Sequence, residues 1–177
     1  PAMVAALLDN PMKKSWAYNV LEDITKAQNK GYEIWGQVSC RPLTMEFTMN
    51  EPYMLEGLAA WKDYMIQNTV EDRKNVLKKQ EFRKAVLDEI LDTTKNKLFV
   101  GNWEKIKLIN TKRSSLSKHI GMNLLEIANF YNKEPFDWLL DNAINDGFED
   151  LFAAELLNSD NKQVEKLLKH QYASIAL

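Results

Sequence analysis

The stretch "GYEIWGQVSCRPL", residues 31–43, decides the fold. Before it, Trp16, Val20, Leu21, Ile24 and Ala27 recur at helical spacing, and Ser15 stands where an N-cap belongs. Gly31 supplies the C-cap of that helix. The next residues alternate: Ile34, Gly36, Val38 and Cys40 share one face, and Trp35, Gln37 and Ser39 share the other. Helix, glycine and strand make one step of a parallel α/β sheet. Residues 32–40 are therefore expected to form a strand central to its sheet, with a small Gly36 marking close packing or a bulge.

The end of that strand carries the first functional candidate. Pro42 fixes its own φ and keeps Arg41 out of the α region. In α/β proteins ligands gather at the carboxyl ends of parallel strands. A guanidinium placed there takes a carboxylate through two hydrogen bonds. The competing reading is a structural arginine that satisfies loop carbonyls. Cys40 is expected to alternate to the opposite face and to be packed.

Outward from this core the chain changes character. Met3 to Leu8 reads as a short apolar helical patch ended by Asn10-Pro11. Residues 44–97, rich in charge and methionine, hold helical stretches near 55–66, 71–78 and 80–92. They read as a helical excursion from the sheet, with methionine as core filler or groove cover. "LFVGNWEKIKLINTKRSS" (98–115) restores strand character through Ile106, Leu108 and Ile109. Asn123 caps the helix of "LLEIANFYNK", and Pro135 opens another that Gly147 ends. "LFAAELLNSD" (151–160) fits either a helix or a buried strand before a capping Ser159; "DNKQVEKLLKH" is a helix, and "YASIAL" (172–177) begins a strand.

Composition narrows the function classes. The chain has 177 residues, 45% of them hydrophobic, enough for one domain with a sizeable core. Net charge is −2, and basic residues are interspersed with acids, so the basic stripe of a nucleic-acid binder is absent. No apolar run approaches the ~18 residues needed to span a bilayer, and no signal peptide is visible, which together with the single Cys40 points to a cytoplasmic protein. The start at Pro1-Ala2 and the apolar run at the end suggest a piece of a longer protein.

Catalytic constellations are scarce. His119 and His170 stand far apart without a second ligand at metal spacing, so both read as structural. No motif accompanies a Cys40–His119 nucleophile pair, and Gly101-Asn102 is not a phosphate loop. Acid pairs such as Glu149-Asp150 read as surface, and Trp16, Trp35, Trp61, Trp103 and Trp138 as core packing.

The segment "GYEIWGQVSCRPLTMEFTMNEPYMLEGLAAWKDY" (31–64) resembles the metal-dependent amidohydrolases of the N-acyl-D-amino-acid deacylase branch, the D-aminoacylases. "KKQEFRKAVLDE", "NWEKIKLINT", "IGMNLLEIANFYNKEPFDWLLDNAIND" and "LLNSDNKQVEKLLKH" follow in the family's order, and the resemblance covers nearly the whole chain. It implies a TIM-barrel parent. Residues 1–43 would be a helix plus a barrel strand, 44–100 a helical insertion covering the active site, and 101–177 helices leading to the final strand. The expected class is α/β and predominantly helical: a partial TIM-barrel segment of about two strands, with no closed barrel.

The resemblance further implies a zinc-dependent parent that hydrolyses N-acyl amino acids by metal-assisted attack. Its histidine ligands would lie upstream, and its catalytic aspartate beyond "SIAL" (174–177). This chain would hold no metal itself and would contribute substrate contacts from Arg41, Gln37 and Asn158. It would be inactive alone and would self-associate through exposed apolar surface. The alternative is a stand-alone helical protein-interaction domain without catalytic activity.

Overall fold

Ile34–Ser39 forms β2, the central strand of a three-stranded parallel sheet, in the computed structural model, which describes residues 1–176 and, at Asp146, the backbone alone. Its neighbours are β1 (Ala2–Leu7) and β6 (Ala173–Ala176), both parallel to it. The expected central strand is therefore present, and the C-terminal strand forms as read, with Leu177 outside the described residues. Helix α1 (Trp16–Gln28) connects β1 to β2, and α9 (Asn161–Leu168) precedes β6.

Between β2 and α9 run β3 (Leu43–Phe47), α2 (Tyr53–Glu56), α3 (Lys62–Met65), α4 (Val70–Leu77), α5 (Gln80–Leu91) and β4 (Ile106–Asn110). Then come α6 (Ser114–Ser117), α7 (Leu124–Phe130), α8 (Pro135–Asn142) and β5 (Leu151–Leu157). A second sheet has the order β3–β5–β4, with β4 and β5 antiparallel. Among the described residues the chain is thus mixed α/β, with nine α-helices, two small sheets and no closed barrel. It divides into two compact units: Pro1–Thr44 with Glu155–Leu177, and Met45–Ala154.

The first unit is built on one sheet face. Leu7, Val38, Leu21, Ile24 and Leu167 form its buried core. Gly36 sits under α1, where an added Cβ would come within 2.5 Å of a Leu21 methyl and 2.8 Å of a Leu7 methyl. Helix and strand approach this closely only because the position carries no side chain. The opposite face is open: Met3 and Trp35 are paired in register and are 55% and 39% exposed.

Several expectations need correction. Met3 to Leu8 is not helical: Ala2–Leu7 is a strand, so this unit has three parallel strands where about two were expected. Its alanines favour a helix in isolation, but pairing with β2 satisfies the backbone and buries Leu7; tertiary context overrides propensity. Cys40 lies exposed just past the strand. Trp16 and Trp35 are exposed, whereas Trp61 and Trp138 are core. The ambiguous "LFAAELL" is β5, alternating buried Phe152, Ala154 and Leu156 with half-buried neighbours.

In the second unit, α4 and α5 match the predicted helices, and Asn123 forms a full capping box with Glu126. Pro135 opens α8 as expected, and a π-helical turn, Ala143–Gly147, extends it. The predicted helix 55–66 is instead broken: Leu58 is extended, and the Glu89 carboxylate accepts the N–H groups of Ala59 and Ala60 at 3.0 and 2.8 Å. Asp160, not Ser159, caps α9 by accepting from the N–H groups of Lys162 and Gln163. Around Trp61 pack Tyr64 and Phe82, with ring centroids at 4.7 and 5.3 Å. Burial pushes the Tyr64 phenol up to about 12, and its hydroxyl donates to the Met49 carbonyl.

Two glycines separate packing from backbone freedom. Gly36→Val should lower unfolding stability by roughly 2–3 kcal/mol through overpacking against Leu21 and Leu7. Gly57→Ala, at φ −74° with nothing near the added methyl, should be neutral or stabilising by up to ~1 kcal/mol. Urea unfolding of both variants checks this pair.

Candidate functional site

The parallel strands of the first unit point their carboxyl ends at one rim, and a single buried asparagine organises it. Asn158 is 1% exposed and holds a left-handed backbone at φ 59°. Asparagine tolerates that conformation better than most residues. Its amide N–H donates to the Asp9 carbonyl at 2.8 Å, and its Oδ1 accepts from the Asp9 N–H at 3.1 Å. Its Nδ2 donates to the carbonyls of Ser39 and Arg41 at 2.7 and 2.8 Å. One side chain therefore ties the segment after β1 to the end of β2.

Arg41 is doubly fixed in its backbone and free in its side chain. Its carbonyl accepts from Asn158 and from the Ser39 hydroxyl at 3.1 Å, and its N–H donates to that hydroxyl at 3.3 Å. The Cys40 N–H donates to the Ala176 carbonyl at 3.3 Å, which pulls the turn against β6. The Arg41 side chain is exposed and has no ion-pair or hydrogen-bond partner among the described residues. It does not satisfy loop carbonyls.

Gln37 lies on β2, partly buried, in register with Ser174 of β6. By alternation it belongs to the open face with Trp35 and Ser39, not to the helix-covered one. The structure thus brings Arg41 and Asn158 together, Asn158 as the internal tie and Arg41 as the exposed group. Gln37 stands apart from that network, two residues back along the strand.

Asp9 is a rim residue that the sequence reading missed. It is 6% exposed, and no described residue donates a hydrogen bond to its carboxylate. Burial, then the negative charge of Asp160, raise its carboxyl above the usual range, against the opposing pull of Lys14. The signal was present as an acid closing the apolar run "MVAALLD". Read as a strand, that run delivers Asp9 to the carboxyl end, where ligands gather.

The rim therefore offers an exposed, unpaired guanidinium and a buried carboxyl biased toward its neutral form. These groups suit binding of a small organic acid. Ser39 Oγ donates to a carbonyl and has no base beside it. No group of three or more His, Cys, Asp or Glu able to hold a metal exists among the described residues. His119 is buried between Phe130 and Tyr131, with Nε2 at 3.1 Å from the Tyr131 hydroxyl, and burial lowers its pKa. No described helix is long and apolar enough to cross a membrane. No protein-family model, curated protein or solved structure matches the chain.

Asn158→Ala should cost about 3 kcal/mol, from three lost hydrogen bonds, one buried and two part-buried, and a strained left-handed alanine. Asn158→Gly should recover the backbone part alone, and chemical denaturation of both separates the two contributions. For Asp9, the folded pKa lies above the unfolded one, so its stabilising contribution is complete below pH ~3.9 and is lost as pH rises through the folded value. Asp9→Asn should therefore be more stable than wild type at pH 7, with the difference vanishing near pH 3.5. Equal gains at both pH values would contradict the assignment.

Proposed function

We propose that this chain is part of a metal-dependent amidohydrolase of the N-acyl-D-amino-acid deacylase kind, in which the rim of the parallel sheet holds the substrate's free carboxylate. One observation carries the reading: Arg41 leaves the carboxyl end of the central parallel strand with its backbone pinned by Asn158 and its guanidinium unpaired. The ordered motifs quoted above support the family. The succession β1–α1–β2, followed later by α9–β6, with each strand adjacent to the last, suits consecutive strands of a TIM barrel.

Among the described residues no group of three or more His, Cys, Asp or Glu comes together that could hold zinc. The metal chemistry belongs, on this proposal, to other segments of the enzyme. What this chain contributes is binding. Pro42 and the Asn158 amide restrict the backbone of Arg41, so its planar fork reaches the rim from a reproducible origin. A guanidinium stays charged when desolvated and meets both carboxylate oxygens.

Losing such a contact costs roughly 2–4 kcal/mol. In the enzyme expressed from the whole open reading frame, Arg41→Met should lower kcat/KM for N-acetyl-D-amino acids about 30- to 1000-fold. Its melting temperature should stay close to wild type, and the loss should shrink for substrates with an amidated carboxylate. A wild-type enzyme that hydrolyses no N-acyl amino acid defeats the family reading. A variant that handles acid and amide substrates as wild type does makes Arg41 a bystander.

A further inference from the structure

The second unit has a cleft of its own, of about 250 Å³. That is below the ~300–1,000 Å³ usual for drug-sized ligands, so it suits a smaller molecule. One wall is aromatic: Tyr131 and Trp138 stack with ring centroids 6.2 Å apart and planes at 24°. The facing residues are polar, and their charges are fixed to different degrees.

Arg113 is rigidly held. It donates to Asp150, to the Asn142 side chain, and to the Asn145 carbonyl at 2.9 Å. Asp150 in turn accepts from Asn142 at 2.9 Å and from Thr111 at 2.6 Å, so Arg113 has little charge left to offer. Asp141 accepts from Arg83 at 2.6 Å, and Arg83 is balanced on its other side by Asp137 at 2.9 Å. Lys133 reaches the second oxygen of Asp141, with side chains 44% and 30% exposed. This is the loose pair of the cleft: an exposed ion pair is weak, and an ammonium has three donors.

The local charges thus cancel, Arg83, Lys133 and Arg113 against Asp137, Asp141 and Asp150. A ligand with net charge would leave one charge unmatched. A ligand carrying one of each sign finds a cation and an anion side by side beside an aromatic wall. We propose that this cleft binds a small zwitterion with an aromatic body, the size of a free aromatic amino acid. Its carboxylate pairs with Lys133, its ammonium with Asp141, and its ring lies against Tyr131 and Trp138. The assignment rests on the cleft's own charges and rings and does not use the amidohydrolase reading: an N-acylated substrate has no ammonium to give, whereas any free amino acid, including one released by such hydrolysis, carries both charges.

The test is a nuclear magnetic resonance titration of the whole isotope-labelled chain, with D- and L-phenylalanine, N-acetylphenylalanine and phenethylamine as probes. Free phenylalanine of at least one hand should produce saturable shifts at the Trp138 indole and at Lys133. N-acetylphenylalanine, which lacks the ammonium, and phenethylamine, which lacks the carboxylate, should each bind roughly tenfold or more weakly. Lys133→Met should weaken phenylalanine by about the same factor, and Ser115→Trp, which fills the cleft from an exposed position, should abolish binding while the remaining spectrum stays folded. No saturable shift with phenylalanine, equal binding of N-acetylphenylalanine or phenethylamine, or wild-type binding by a folded Ser115→Trp variant would each overturn the proposal.

Discussion

The geometry of the first unit depends on one buried amide. Asn158 meets Asp9 across 149 positions of sequence and Arg41 across 117. Strand pairing alone aligns β1, β2 and β6, but it leaves the segments beyond their carboxyl ends undefined. The Asn158 side chain supplies the missing hydrogen bonds there. Because it both donates and accepts, it can close two different segments at once, which neither an acid nor a lysine could do. Its buried position makes each bond more consequential, since a broken one leaves a carbonyl or N–H without water.

A second constraint is the contrast in how arginines are used. Arg83 is 9% exposed and satisfied on every side by Asp137, Asp141 and the Leu77 carbonyl. Burial disfavours its charge, but the two carboxylates outweigh that and raise its pKa. Burial likewise works against the ionised Asp141, yet hydrogen bonds from Lys133 and Arg83 hold it below the usual range. Removing one partner from such a network leaves an uncompensated charge. Arg41 has the opposite design: its backbone is held and its guanidinium is not. A cation with a fixed origin and an unspent charge is what recognition of an external anion requires.

Elements with local signals were legible in the sequence. β2 follows from alternation bounded by Gly31 and Pro42, α7 from the Asn123 and Glu126 box, and α8 from Pro135 at its start. A change of character after Thr44 was also visible; the compact unit that begins at Met45 runs on to Ala154 and includes β4. What was hidden depends on distant partners. β1 is a strand because β2 lies beside it, and β5 because β4 does. Asp9 was invisible as a rim residue for the same reason, since calling its run helical removed it from the strand ends. Asn158 could be named from the sequence, but its left-handed backbone and its three partners could not be read from neighbours in sequence.

Native-state hydrogen exchange tests the organising role of Asn158 most directly. If the rim is assembled as described, the backbone amides of Asp9 and Asn158 exchange only when the first unit opens, as slowly as the amides of Gly36 and Val38 in β2. Exchange of Asp9 and Asn158 at the rate of exposed loop amides, while β2 stays protected, would contradict the account.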